Sequence, residues 1–127
     1  MSKLVKSEKH IDGLFLHVSS GYDNQHKACM ALSLAIKMSE SQDVTLFFDI
    51  EGVKLLSKDS KDIQMDDSLT MHGAIDTLLK RDVPIMACPM CMAKAEIKEE
   101  DLKEGIVIAE KEKFFNFTEG RILTLDY

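Results

Sequence analysis

Five short apolar, β-rich runs alternate with helical patterns along the chain, and this alternation is the strongest constraint on its fold. The runs are Gly13–Ser19, Val44–Ile50, Val83–Cys88, Gly105–Ala109 and Arg121–Leu125. Between the first two, Ala28, Ala31, Leu34 (or Ala35) and Met38 recur at three- and four-residue steps, which predicts a helix from Asn24 to Glu40. Met71, Ile75, Leu78 and Leu79 predict a second helix over 69–81, with Lys80 and Arg81 complementing its C-terminal dipole. Pro89 suits the first position of a short helix reaching about Ile97. Glu110–Phe117 reads as a further helix, which Gly120 ends. Strands that alternate with helices pair in parallel through right-handed crossovers, so the expected fold is α/β, with helices on both faces of one five-stranded parallel sheet. The polar stretch over 57–68 is the best candidate for a mobile loop.

Composition narrows the function classes. At 127 residues, with no repeat and no linker, residues 1–127 are expected to form a single domain. Apolar residues at 45% and charged residues at 30% suit a folded chain rather than a disordered one. A net charge of −6 argues against broad binding to nucleic acid or to an anionic membrane. No apolar run approaches the roughly 18 residues of a membrane span, and Met1–Lys6 lacks the apolar stretch of a signal peptide. A cytoplasmic protein is expected. In that reducing setting, its three cysteines read as reactive or metal-binding groups before structural disulfides.

In an open parallel sheet the functional site lies beyond the carboxyl ends of the strands. There the sequence places Met86-Ala87-Cys88-Pro89-Met90-Cys91-Met92. Cys88 would end the third strand and Cys91 would sit in the first helical turn, where unpaired amides and the helix dipole lower a thiol pKa. Thiols at this spacing can pass a sulfur between them or close a disulfide. A zinc site is disfavoured, because only Cys29 remains and the histidines show no ligand spacing. Met86, Met90 and Met92 would suit Cu(I), but methionines around a strand end are more often packing. Spacing alone does not choose between an active thiol pair and two inert packed cysteines. Ser19-Ser20-Gly21-Tyr22 could hold an anion on its amides, although an ordinary strand-to-helix turn is the simpler reading. Nucleotide and P-loop patterns are missing, so no cofactor is expected. Cys29 is expected to be packed and His72 to face solvent, and His10, His17 and His26 form no constellation along the sequence.

Taken in order, four features carry a family resemblance: the first strand, turn and Ala28–Met38 helix; Val44–Leu56, VTLFFDIEGVKLL; the cysteine-ended strand Ile85–Cys88; and the acidic step Glu100–Ile106 into the fourth strand. The chain resembles the DsrE/DsrF-like family of sulfur-relay proteins. That resemblance implies a three-layer α/β/α domain, sulfur-carrier chemistry on Cys88, a place for Cys91 in the C-P-x-C variants, and homo-oligomers, often trimers or hexamers. One departure is Glu96 before Ile97, where the family often has glycine. The resulting expectation is a sulfur carrier or sulfurtransferase that holds sulfane sulfur on Cys88 and Cys91 as a persulfide or thiosulfonate. Its partner would be a small sulfur-containing anion or a persulfide donor protein. The alternatives are a non-catalytic oligomeric scaffold and a dithiol–disulfide oxidoreductase.

Overall fold

A computed structural model describes residues 10–127. The polar lead-in expected over 1–12 falls mostly outside the described residues. The strands are β1 (Gly13–Val18), β2 (Asp43–Phe48), β3 (Ile85–Ala87), β4 (Val107–Ile108) and β5 (Ile122–Asp126). The α-helices are α1 (Gln25–Met38), α2 (Met71–Lys80) and α3 (Pro89–Lys94). All four strand pairings are parallel. The order across the sheet is β4-β3-β2-β1-β5.

This order fixes what covers each face. The steps from β1 to β4 all move one way across the sheet, so right-handed crossovers put their helices on one face. Leu14, Leu16, Val18, Val44, Leu46, Phe48, Ile85 and Ala87 point there, against Ala28, Ala31, Leu32 and Ala35 of α1 and Met71, Ala74, Ile75 and Leu78 of α2. Fully burying one such leucine or phenylalanine contributes about 1.5–3 kcal/mol. The stripe on α1 runs through Ala35 rather than Leu34, which is half-buried. Asn24 caps α1 by accepting from the Lys27 N–H, and Thr70 caps α2 by accepting from Gly73.

The β4-to-β5 step runs back across the other face. The expected helix over 110–117 is there only a 3-10 turn, Lys111–Phe114. Three phenylalanines in a segment this short have weak helix propensity and cannot offset the cost of nucleation. Phe114 instead packs edge-on against Phe47 and Phe15, with ring centroids 5.0 and 5.7 Å away. Phe115 stays 68% exposed. This second layer is therefore thin.

The stretch over 57–68, expected to be mobile, is tied down. Ile63 is buried, and its carbonyl accepts from the Met71 N–H at 2.8 Å. Ser60 donates to the Leu55 and Ser57 carbonyls. Polar side chains fasten this loop locally, so its polarity does not signal freedom.

Candidate functional site

Cys88 follows β3 directly and is the N-cap of α3, with Pro89 at the first helical position. Its N–H donates to the Phe48 carbonyl at 2.9 Å, which ties the start of α3 to the end of β2. Cys91 lies one turn on. Both thiols are free and half-buried, and they adjoin. Burial pushes the Cys91 thiol up; the N–H of Ile50, directed at its sulfur, works the other way, while Cys88 and the Asp49 carboxylate add to the rise. The lowering expected from the helix start is therefore not what prevails at Cys91. Helix α3 stops at Lys94, well short of Ile97, and desolvation outweighs the few unpaired amides of so short a helix.

Cys91 opens onto a groove of about 310 Å³ lined by Ile50, Glu51, Lys54, Lys94 and Ala95. Lys54 pairs with Glu51 at 2.8 Å. Lys94 brings a second cation to the groove that Cys91 lines.

Helix α3 ends in a Schellman motif. The Ile97 N–H donates to Met92 O and the Glu96 N–H to Ala93 O. Glu96 takes φ +58°, the left-handed conformation that glycine adopts at no steric cost. The departure noted in the sequence is thus a non-glycine residue in a glycine conformation.

A second group of polar side chains, not recognised from sequence, lies at the carboxyl ends of β1, β2 and β5. His17 stacks on Phe47. Its Nε2 lies 2.8 Å from Asp49 Oδ2 and its Nδ1 lies 3.0 Å from Asp126 Oδ1. Ser19 Oγ donates to Asp49 Oδ1 at 2.6 Å and lies 3.1 Å from His17 Nε2. Burial alone would lower the His17 pKa, but the hydrogen bonds and charges of Asp49 and Asp126 outweigh it, and the net shift is upward. With a carboxylate at each ring nitrogen, the imidazolium can donate in both directions. The signal available in the sequence was a histidine and two aspartates, each at the carboxyl end of a strand.

The remaining candidates lie apart from this centre. The Ser19 and Ser20 amides both donate to the Tyr127 carbonyl, and the Gly21 amide donates to Asp23, so the expected anion cradle is filled by the chain itself. Cys29 is half-buried, its pKa is raised by burial, and it lines a separate, mostly apolar groove with Met30, Met65 and Tyr127. His72 does not simply face solvent. It is half-buried, with Nε2 2.9 Å from Ser60 Oγ, and helps to hold the 57–68 loop. Among the described residues, no three or more His, Cys, Asp or Glu side chains converge as a metal-binding set.

The DsrE/DsrF-like family matches residues 13–119, which span all of the elements from β1 to the segment before β5. The chain belongs to this DsrE/DsrF-like family. Two solved structures share the DsrE-like fold. The YchN protein of E. coli has 17% sequence identity and a TM-score of 0.64, covering 91% of this chain and 99% of its own. MTH1491 of Methanobacterium thermoautotrophicum, a protein of unknown function, has 14% identity and a TM-score of 0.59, with the same coverage of both chains. No curated protein shows a significant sequence match. The DsrE-like family is associated with sulfur relay. Among the described residues, no helix is long and apolar enough to cross a membrane.

Proposed function

We propose that this DsrE-like protein is a sulfur carrier or sulfurtransferase that holds sulfane sulfur on the Cys88–Cys91 pair. The observation that carries the reading is the pair itself: two adjoining free thiols at the strand end, of which Cys91 opens onto a groove that bears Lys54 and Lys94. The lysines suit an anionic donor, either a small sulfur-containing anion or the persulfide of a partner protein. In the loading step the Cys88 thiolate attacks the terminal sulfur of a persulfide, R–S–SH. The donor's S–S bond breaks, R–S⁻ leaves, and Cys88–S–SH forms, with no net oxidation. Attack by Cys91 on the same terminal sulfur passes it along the pair and regenerates the Cys88 thiolate. Such chemistry belongs in a cytoplasmic setting, where thiols stay reduced.

Intact-mass measurement after incubation with a persulfide donor tests the reading. The native protein should gain sulfur, and Cys88→Ser should gain none. Peptide-resolved alkylation should also find Cys88 modified faster than Cys29. A stable loss of two hydrogens would instead mark a dithiol–disulfide oxidoreductase.

The alternative is a non-catalytic oligomeric scaffold. It is favoured by the thin second face, with Phe115, Val107 and Ile122 exposed. Native protein that takes up no sulfur while remaining assembled would establish it. Under either reading we propose a homo-oligomer, trimer or hexamer, that covers this face.

A further inference from the structure

We propose that His17 and Ser19 are positioning residues for Cys91. They clamp the Asp49 carboxylate and so hold the Asp49–Ile50 turn in the groove that Ile50 shares with Cys91. The inference deepens the reading of the thiol pair and rests on it for its functional meaning, but its test does not depend on sulfur transfer.

Ile50 is where the turn is strained. Its φ is +49°, in the left-handed region. A β-branched residue there is a steric outlier and costs on the order of 1–2 kcal/mol. Its side chain is 58% exposed, so packing does little to hold it. Such a conformation persists only where the surroundings over-determine it.

Those surroundings are explicit. On the backbone, the Asp49 N–H donates to the Val18 carbonyl at 3.1 Å, the Glu51 N–H to Ser19 O at 3.1 Å, and the Gly52 N–H to Asp49 O at 2.8 Å. On the side chains, both Asp49 oxygens are held, one by Ser19 Oγ at 2.6 Å and the other by His17 Nε2 at 2.8 Å. His17 is anchored in turn by stacking on Phe47 and by Asp126 at 3.0 Å. The residue after this clamped carboxylate is Ile50, which shares the groove with Cys91. If the clamp is released, Ile50 can relax toward negative φ and rotate its N–H away from the sulfur. That N–H is the group opposing the burial penalty on the Cys91 thiolate.

The test is a coupling measurement. Alkylation of Cys91 by iodoacetamide is followed by peptide-resolved mass spectrometry on the full chain at mildly alkaline pH. His17→Phe keeps the ring stacking but removes both nitrogen contacts, and should slow Cys91 on the order of tenfold, the scale of a lost hydrogen bond to a charged group. His17→Gln, which keeps an amide donor for Asp49, should restore most of the rate. In an Ile50→Gly background, where positive φ carries no steric cost, the same His17→Phe change should leave the rate within about twofold. Ser19→Ala serves the same comparison if His17→Phe does not fold. An unchanged Cys91 rate in His17→Phe overturns the proposal. Equal slowing in both backgrounds does so too, because it would mean general loosening rather than control through the turn. Failure of sulfur loading with this coupling intact would count against the proposed function alone.

Discussion

Replacing Glu96 with glycine should stabilise the protein. Glu96 holds φ +58° as the left-handed residue of the motif that closes α3, and its side chain is exposed. For a residue with a Cβ this conformation costs roughly 1–2 kcal/mol. Glycine removes that cost but gives up roughly 0.5–1 kcal/mol to the greater freedom of the unfolded chain. The net gain is then about 0.5–1 kcal/mol, or an increase in Tm of about 2–5 °C for a chain of this size. Glu96→Ala is the control. It removes the same charge and most of the same side chain but keeps the Cβ, so it should leave stability near that of the native protein. Thermal and urea unfolding of both variants give the comparison. At an ordinary helical site glycine is less stable than alanine; here the order should reverse. If Glu96→Gly is less stable than Glu96→Ala, either Glu96 does not hold the left-handed conformation or its strain is relieved elsewhere, and the reasoning fails.

Three further outcomes are expected. Gly21→Ala should destabilise by about 1–3 kcal/mol in urea unfolding, because its new Cβ would strike the Glu51 carbonyl, which is backbone and cannot swing aside; a neutral result would mean that the two turns separate easily. The folded-state pKa of His17 is raised, so its stabilisation is complete below the unfolded value of about 6.5 and fades as pH rises through the raised one. The Tm gap between native protein and His17→Gln should therefore narrow from mildly acidic to alkaline pH, and a constant gap would show that the ion pairing contributes nothing. Light scattering should give a mass above the 14.3 kDa of one chain, and Phe115→Ser should lower it without lowering secondary-structure content; a native mass of one chain would refute assembly.

The parts legible in sequence were those whose cause is local. Pro89 after Cys88 dictated a strand end and a helix start, and the structure has both. The apolar runs placed all five strands: the three central ones are apolar because they are largely buried, and the edge strands β4 and β5 are apolar although largely exposed. The His17 group was not legible: its partners lie 32 and 109 positions away, and only the parallel register of β1 with β2 and β5 brings them together. Ile50 was hidden for the opposite reason, since its β-branched side chain argues for an extended backbone and tertiary bonds override it. The 57–68 loop misled because polar composition was read as freedom, whereas Ser60, Asp62 and His72 bond to one another's surroundings. The segment over 110–117 misled because Phe114 and Phe117 cover the sheet while Phe115 stays exposed, so they do not form one face of a helix.

The strand order also has a consequence for synthesis. Of the five described strands β1 is made first, and it ends between β2 and β5, the second and fifth made. A nascent chain can pair β1 with β2 early, yet the other edge of β1, GLFLHV, has no partner until β5 has emerged. An unpaired apolar edge invites pairing with another chain. The hazard lasts until β5 has emerged, so slowing the ribosome between β4 and β5 should raise the misfolded fraction more than the same pause placed between β1 and β2, before β1 is exposed.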